Sequence, residues 1–231
     1  MSASHASTPT RRTAARRSGA AKPGVRQLAA RATRDSILRA ATRVFAKHGY
    51  DGGRVEQISK AARSYDRMIY YYFGSKEGLF IAVIEEAYRR FNEAESALEL
   101  DEARPAQALA EVIRFVWRYY QANPEFITLL NTENLHRGRH IGKSLRAREL
   151  SSPVIDVTAR VLAAGVKQML FRTDLAARDV YLMIAAMGYF YLSNRYTLSA
   201  FLGESLDTPA ALAHWEAFII DAVLRKVAAR N

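Results

Sequence analysis

From residue 33 onward, apolar side chains recur at three- and four-residue spacing, the period of helices with one buried face. Ile37, Leu38, Ala41, Val44 and Phe45 mark a first helix, capped by Thr33 and ended at Gly49. Val55, Ile58, Ala61 and Ala62 mark a second, shorter one. Arg63-Ser-Tyr65 makes a turn, and residues 66–72 form a third helix. Ser75 caps a fourth, whose stripe of Leu79, Phe80, Val83, Ile84, Ala87, Tyr88 and Phe91 carries it to Leu98. Further helices are expected from Pro105 to Ala122, from Asn123-Pro124 to Leu135, from Ser152 to Leu170, over 175–201, and from Pro209 to Ala229. Arg137–Gly142 reads as a basic, glycine-broken connection. No segment alternates with period two. The pattern predicts an all-α fold of about nine helices, a small N-terminal bundle followed by a larger one.

Charge divides the chain differently. The net charge is +11, and residues 1–34 supply eight of the basic side chains without one acid. Arg11, Arg12, Arg16, Arg17 and Lys22 lie among Ala, Ser and Thr, with no aromatic residue to seed a core. Residues 1–32 are therefore read as a disordered basic arm, either a solvated tail or an extension that touches a polyanion. No apolar run approaches the roughly 18 residues of a membrane span, and the N-terminus lacks a secretory h-region. Cysteine is absent, which excludes disulfides and thiolate metal sites. A bacterial cytoplasmic setting, with no membrane partner, fits these features.

The third helix and its flanks carry the chemistry. Tyr65, Arg67, Tyr70, Tyr71 and Tyr72 crowd aromatic hydroxyls and a guanidinium onto one short surface. That set is poorly suited to a core and well suited to phosphates and base edges in a DNA groove.

Gly49-Tyr50, then Val55, Ile58 and Ala62, then Tyr70-Tyr71-Tyr72-Phe73-Gly74-Ser75-Lys76-Glu77-Gly78-Leu79 follow each other without gaps. Over residues 33–91 this resembles the TetR family of transcriptional regulators. The resemblance implies a helix-turn-helix DNA-binding domain at 33–78 and a helical effector-binding and dimerisation domain at 79–231. It implies a ligand-responsive repressor, acting as a homodimer on a palindromic operator in double-stranded DNA. Tyr65, Asp66, Arg67 and Met68 would face bases. Tyr70, Tyr71 and Tyr72 would grip phosphates through their hydroxyls. Lys76 and Arg54 would meet phosphates at the starts of the fourth and second helices. Ile58, Ala62, Ile69 and Phe73 would form the core of the head. The chain departs from the family pattern at Arg63, where Gly is usual, at Tyr65, where Ser or Thr caps the reading helix, and at Arg54, where Thr is usual.

An effector pocket is expected between residues 80 and 190. Phe115, Trp117, Tyr120, Phe126, Leu130, Tyr181 and Met187 are candidate walls. Asn134 is a candidate polar group, and His136 and Arg137 are candidate positive charges, which together suggest an aromatic or acidic small-molecule effector. The last two helices are the expected dimer interface, through Tyr189, Leu192, Trp215, Phe218, Ile219 and Ala222. Two specific half-sites need two heads held one helical turn apart. No Gly-rich phosphate loop, Gly-x-Ser-x-Gly elbow or His-Glu-x-x-His appears, so neither an enzyme nor a cofactor is expected. His136 and His140 have metal-ligand spacing, but Gly138 between them argues against a shared metal. The remaining alternative is a helical adaptor or ligand-binding protein without sequence-specific DNA binding.

Overall fold

A computed structural model describes residues 24–146 and 153–229. The described residues form nine α-helices: α1 (Val25–Gly52), α2 (Val55–Ala61), α3 (Asp66–Phe73), α4 (Lys76–Ser96), α5 (Pro105–Ala122), α6 (Pro124–Leu135), α7 (Pro153–Lys167), α8 (Ala177–Leu202) and α9 (Pro209–Val227). A single 3₁₀ turn, Ile141–Lys143, follows α6.

The first helix starts eight residues before Thr33. Val-Arg-Gln-Leu-Ala-Ala-Arg-Ala is rich in strong helix formers, and the helix begins after Gly24, whose backbone is extended. Thr33 is not a cap. It lies mid-helix and its hydroxyl donates to the Ala29 carbonyl at 3.0 Å. The segment 25–32 is therefore helical, not part of a disordered arm. Arg11, Arg12, Arg16, Arg17 and Lys22 lie outside the described residues, as does Ser152.

Gly49 breaks α1 with φ +68°, and the chain makes one more turn to Gly52. α7 ends at Lys167 instead of Leu170. Met169 adopts φ +58°, and the chain reverses so that Phe171 packs on Gly165. A Cβ at Gly165 would lie 2.0 Å from the Phe171 ring, so only glycine lets the turn close. Phe171 and Ala228 then form an isolated antiparallel bridge that ties this turn to the end of α9.

Two apolar clusters organise the chain. In the head, Ile37, Phe45, Ile58, Ile69, Leu79 and Phe80 are each 0% exposed, joining α1, α2, α3 and the first turns of α4. In the larger unit, Trp117, Ile113, Ile184, Ile219 and Val223 centre a core shared by α5, α8 and α9. α4 contributes to both, with Leu79 to Ile84 in the first and Phe91 in the second. No helix among the described residues is long and apolar enough to cross a membrane.

Candidate nucleic-acid interface and effector cavity

The helix-turn-helix is built tightly. α2 closes on a turn in which Arg63 takes φ +52°, the left-handed conformation for which glycine is the ordinary choice. The Ser64 N–H reaches back to the Ser59 carbonyl at 2.9 Å. Tyr65 precedes α3 with extended backbone and makes no side-chain cap. Gly74 ends α3 with φ +75°, and the Ser75 hydroxyl accepts from the Gly78 N–H at 2.9 Å to start α4. A Cβ at Gly78 would sit 2.1 Å from the Phe73 carbonyl oxygen, so the Lys-Glu-Gly-Leu sequence is what lets α4 abut α3 this closely.

Ile69 anchors α3 inward, and the opposite face is open. Tyr65 is 71% exposed, Tyr71 77% and Tyr70 52%. The Arg67 guanidinium lies 5.3 Å from the Tyr65 ring centroid, a cation–π contact that orders both on the open face. Arg54 is exposed at the start of α2, where the Gln57 side-chain oxygen accepts from the Arg54 N–H at 3.2 Å. Met68 and Tyr72 are half-buried, each with one side against the core of the head. Asp66 is also half-buried, and its carboxylate accepts from the Ser59 hydroxyl. Asp66 thus staples α2 to α3, which sets it apart from the free base-facing group expected from the sequence. Lys76 folds back: its ammonium is 4.8 Å from the Tyr50 ring centroid and 3.3 Å from the Asp51 carbonyl.

A cavity of about 460 Å³ opens in the larger unit between α4, α6 and α8. Of the residues expected there, Tyr120, Phe126, Leu130, Asn134 and Tyr181 line it. The others do not. Trp117 is 1% exposed in the core behind the cavity, and Phe115 packs on Phe91 at 5.5 Å between centroids. Met187 turns toward α9, where its carbonyl accepts from the Trp215 indole N–H at 3.2 Å. His136 and Arg137 lie beyond α6, where His136 packs edge-on to Tyr50 at 5.6 Å and Arg137 is exposed. Their displacement has one cause: the chain turns at Arg137, with φ +58°, and winds back onto the head.

α4 supplies what the sequence reading missed. Tyr88, Phe91 and Asn92 line the cavity, and Glu95 lies one turn beyond Asn92 on the same helix face. Glu95 is 1% exposed, and neither carboxyl oxygen has a hydrogen-bond partner. Burial raises its pKa to about 7. Burial also pushes Tyr181 up to about 12 and raises Tyr120, with the Glu95 charge adding to both. An acid recurring at i+3 from an asparagine in a stripe of large apolar residues was the available signal for this group.

The expected dimer residues also divide. Leu192 and Ile219 are 4% and 1% exposed, buried in the chain's own core and therefore not interface residues. Tyr189 turns to the cavity, where its hydroxyl donates to Asn131. Trp215 and Ala222 are half-buried. Phe218 remains outward, stacked on Trp215 at 4.9 Å, and on α8 Phe190, Phe201 and Leu202 are also exposed.

Two family models match the chain. "Bacterial regulatory proteins, tetR family" matches residues 37–83, and "Tetracyclin repressor-like, C-terminal domain" matches residues 105–223. The HTH-type transcriptional repressor NicS of Pseudomonas putida is 53% identical over 88% of this chain and 96% of that protein. The chain belongs to the TetR family. The HTH-type transcriptional regulator RutR of Escherichia coli is 33% identical over 62% of this chain and 66% of its own length. Among solved structures, a putative transcriptional regulator from Streptomyces coelicolor, SCO4942, superposes with a TM-score of 0.62 at 22% identity, covering 84% of this chain and 98% of that one. FadR of Bacillus subtilis, solved with stearoyl-CoA, gives 0.61 at 19% identity over 84% of this chain and 99% of that one. These two likenesses concern the fold. As a TetR-family member with an intact helix-turn-helix, the protein is a DNA-binding transcriptional repressor.

Proposed function

We propose that the protein acts as a homodimer on a palindromic operator and leaves it when a small molecule fills the cavity along α4. The observation that carries this reading is the open face of α3. Tyr65, Arg67, Tyr70 and Tyr71 project from a helix whose other side is fixed by Ile69. Arg67 and Tyr65 read bases as a stacked pair. Tyr70 and Tyr71 donate their hydroxyls to phosphates, with Arg54 and Lys76 adding charge at the two flanking helix starts. Lys76 is released from the Asp51 carbonyl to do so. Met68 and Tyr72 contribute at the edge of the face through their uncovered sides.

Dimerisation uses the outward faces of α8 and α9, through Phe190, Phe201, Leu202 and Phe218, large apolar side chains left exposed on these two helices. The cavity is coupled to the head through α4, which carries Tyr88, Phe91 and Asn92 at one end and Leu79 and Phe80 at the other. A ligand that shifts α4 alters the separation of the two heads, so that both can no longer seat in successive major grooves. Such a protein works in the bacterial cytoplasm, where the DNA is, and regulates without catalysis.

Selection from random duplex DNA tests the reading. The expected product is an inverted repeat whose half-sites are one helical turn or a multiple apart, protected by two protomers. A folded dimer that enriches nothing at low salt would overturn it.

A further inference from the structure

One turn beyond the cavity lining, on the helix face that supplies Tyr88, Phe91 and Asn92, α4 buries a group that the fold does not need. Glu95 is buried with both carboxyl oxygens unpartnered, a costly arrangement that ordinary packing would replace with an apolar residue or glutamine. Its position is defined by its neighbours. Asn92, one turn earlier on α4, lines the cavity, and so do Tyr120 and Tyr181, the two phenols on which the Glu95 charge acts. Among the described residues, no Lys, Arg or His lines the cavity. Among those residues a bound carboxylate finds no counter-charge, and it would face repulsion from an ionised Glu95. The histidine and arginine that suggested an acidic ligand from sequence sit outside, against or near the head.

We infer that Glu95 is the recognition group of this cavity, and that the effector is a compact nitrogen base, an amine or basic ring nitrogen on an aromatic or apolar body, bound through its N–H to the Glu95 carboxylate. The inference rests on the effector-cavity reading above. The walls complement such a ligand. Tyr88, Phe91, Phe126 and Tyr181 present ring surface that accommodates both a flat body and a positive charge. A volume of about 460 Å³ suits a small molecule of one or two rings. The proton balance is simple. Near neutral pH the empty site carries a carboxyl group that is part protonated. A protonated base entering beside it displaces that proton to solvent, leaving an N⁺–H···⁻O pair in a buried setting.

The test uses matched probes on the full-length protein: benzylamine, benzyl alcohol and benzoate, each titrated by calorimetry in two buffers of different ionisation heat. Wild type is expected to bind benzylamine at least about tenfold more tightly than benzoate, with net proton release. Glu95→Gln, checked for folding by its melting curve, should lose about tenfold or more in benzylamine affinity and leave benzyl alcohol unchanged. Equal or tighter binding of benzoate, no detectable binding of benzylamine, or benzylamine binding indifferent to Glu95→Gln would overturn the inference. Ala185→Phe, which fills the cavity wall, separates the two levels of the argument. Amine binding that survives Ala185→Phe removes the effector-cavity reading itself. Probe binding that is lost in Ala185→Phe but shows no preference for the amine removes only the assignment of Glu95.

Discussion

The Glu133 carboxylate holds His140 in the joint between the head and the larger unit. One oxygen accepts from the backbone N–H groups of His140 and Ile141, each at 2.8 Å, and the other lies 2.7 Å from His140 Nδ1. The His140 ring in turn packs on Tyr50 at 4.4 Å and on Phe80 at 4.9 Å, at the end of α1 and the start of α4. One buried acid therefore fixes the chain after α6 against the part of the head that orients α3. Lys143 adds an ion pair to Glu77 at 2.6 Å, and Ser144 a hydrogen bond to Glu85 at 2.5 Å.

Removing that acid should loosen the joint. Glu133→Ala leaves two buried N–H groups and one imidazole nitrogen without their acceptor, at a cost on the order of 2–4 kcal/mol. The expected result is a melting temperature lower by several degrees and DNA affinity that responds less to ligand. Glu133→Gln, which keeps an oxygen acceptor, should lose less. A Glu133→Ala protein that melts with wild type would show that the joint is held by packing alone.

Lys76 and Arg67 should fail differently. Lys76→Ala removes the proposed phosphate contact, so binding should weaken on all sequences and the log–log salt slope should fall by about one. Arg67→Ala removes a base-reading group and the partner of the Tyr65 ring, so preference among sequences is lost with the salt slope less affected. Salt titrations on operator and random duplexes distinguish the two. Identical behaviour of both variants would contradict these roles.

Glu95 should make the ligand-free protein less stable as pH rises. Its pKa is raised from the ordinary value near 4.5 to about 7, so the folded state holds the proton more tightly than the unfolded state. The neutral form is fully present below about pH 4.5, and its advantage is lost as pH climbs through 7. Glu95→Gln removes this dependence. At pH 8 it should be more stable than wild type by on the order of 2 kcal/mol, with the difference shrinking toward pH 5. Chemical denaturation across that range is the check. A constant difference between the proteins would mean that Glu95 finds a partner in solution.

Phe218 should govern assembly. It is 47% exposed on α9 and stacks on Trp215. Phe218→Arg places a charge in the proposed interface without touching Ile219 or Val223 in the core behind it. Sedimentation should show a monomer, and operator affinity should fall by about 100-fold or more because one head alone contacts one half-site. A variant that remains dimeric would move the interface elsewhere.

The helical layout was legible in the sequence because periodicity, proline starts and glycine stops agree at nearly every element. Pro105, Pro124 and Pro209 each open the helix expected of them. Failures arose where a local signal competed with a wider one. Thr33 has the chemistry of a cap, yet the helix formers before it extend α1 to Val25. Leu192 and Ile219 fit an interface stripe, but both point into the chain's own core, and periodicity does not distinguish a core within one chain from an interface between two. Of the pocket residues, Tyr120, Phe126 and Tyr181 were found because large aromatics on central helices often meet a cavity. Tyr88, Phe91 and Asn92 carry no pocket signal in the sequence, since α4 reads as a simple amphipathic helix. His136 and Arg137 looked contiguous with the pocket, and only the reversal at Arg137 and Gly138 carries them to the head.

The central claim is that the open face of α3 reads DNA sequence. The check is the affinity of wild type and of the double variant Tyr65→Ala/Arg67→Ala for a selected operator and for random duplex of equal length, at one fixed salt concentration. Both side chains lie outside the core, so the variant should fold and dimerise as wild type does. Wild type is expected to prefer the operator by about 10³-fold or more, and the variant to lose about 100-fold or more of that preference while retaining most of its binding to random duplex. An unchanged preference in the folded variant would contradict the assignment of α3 as the reading helix.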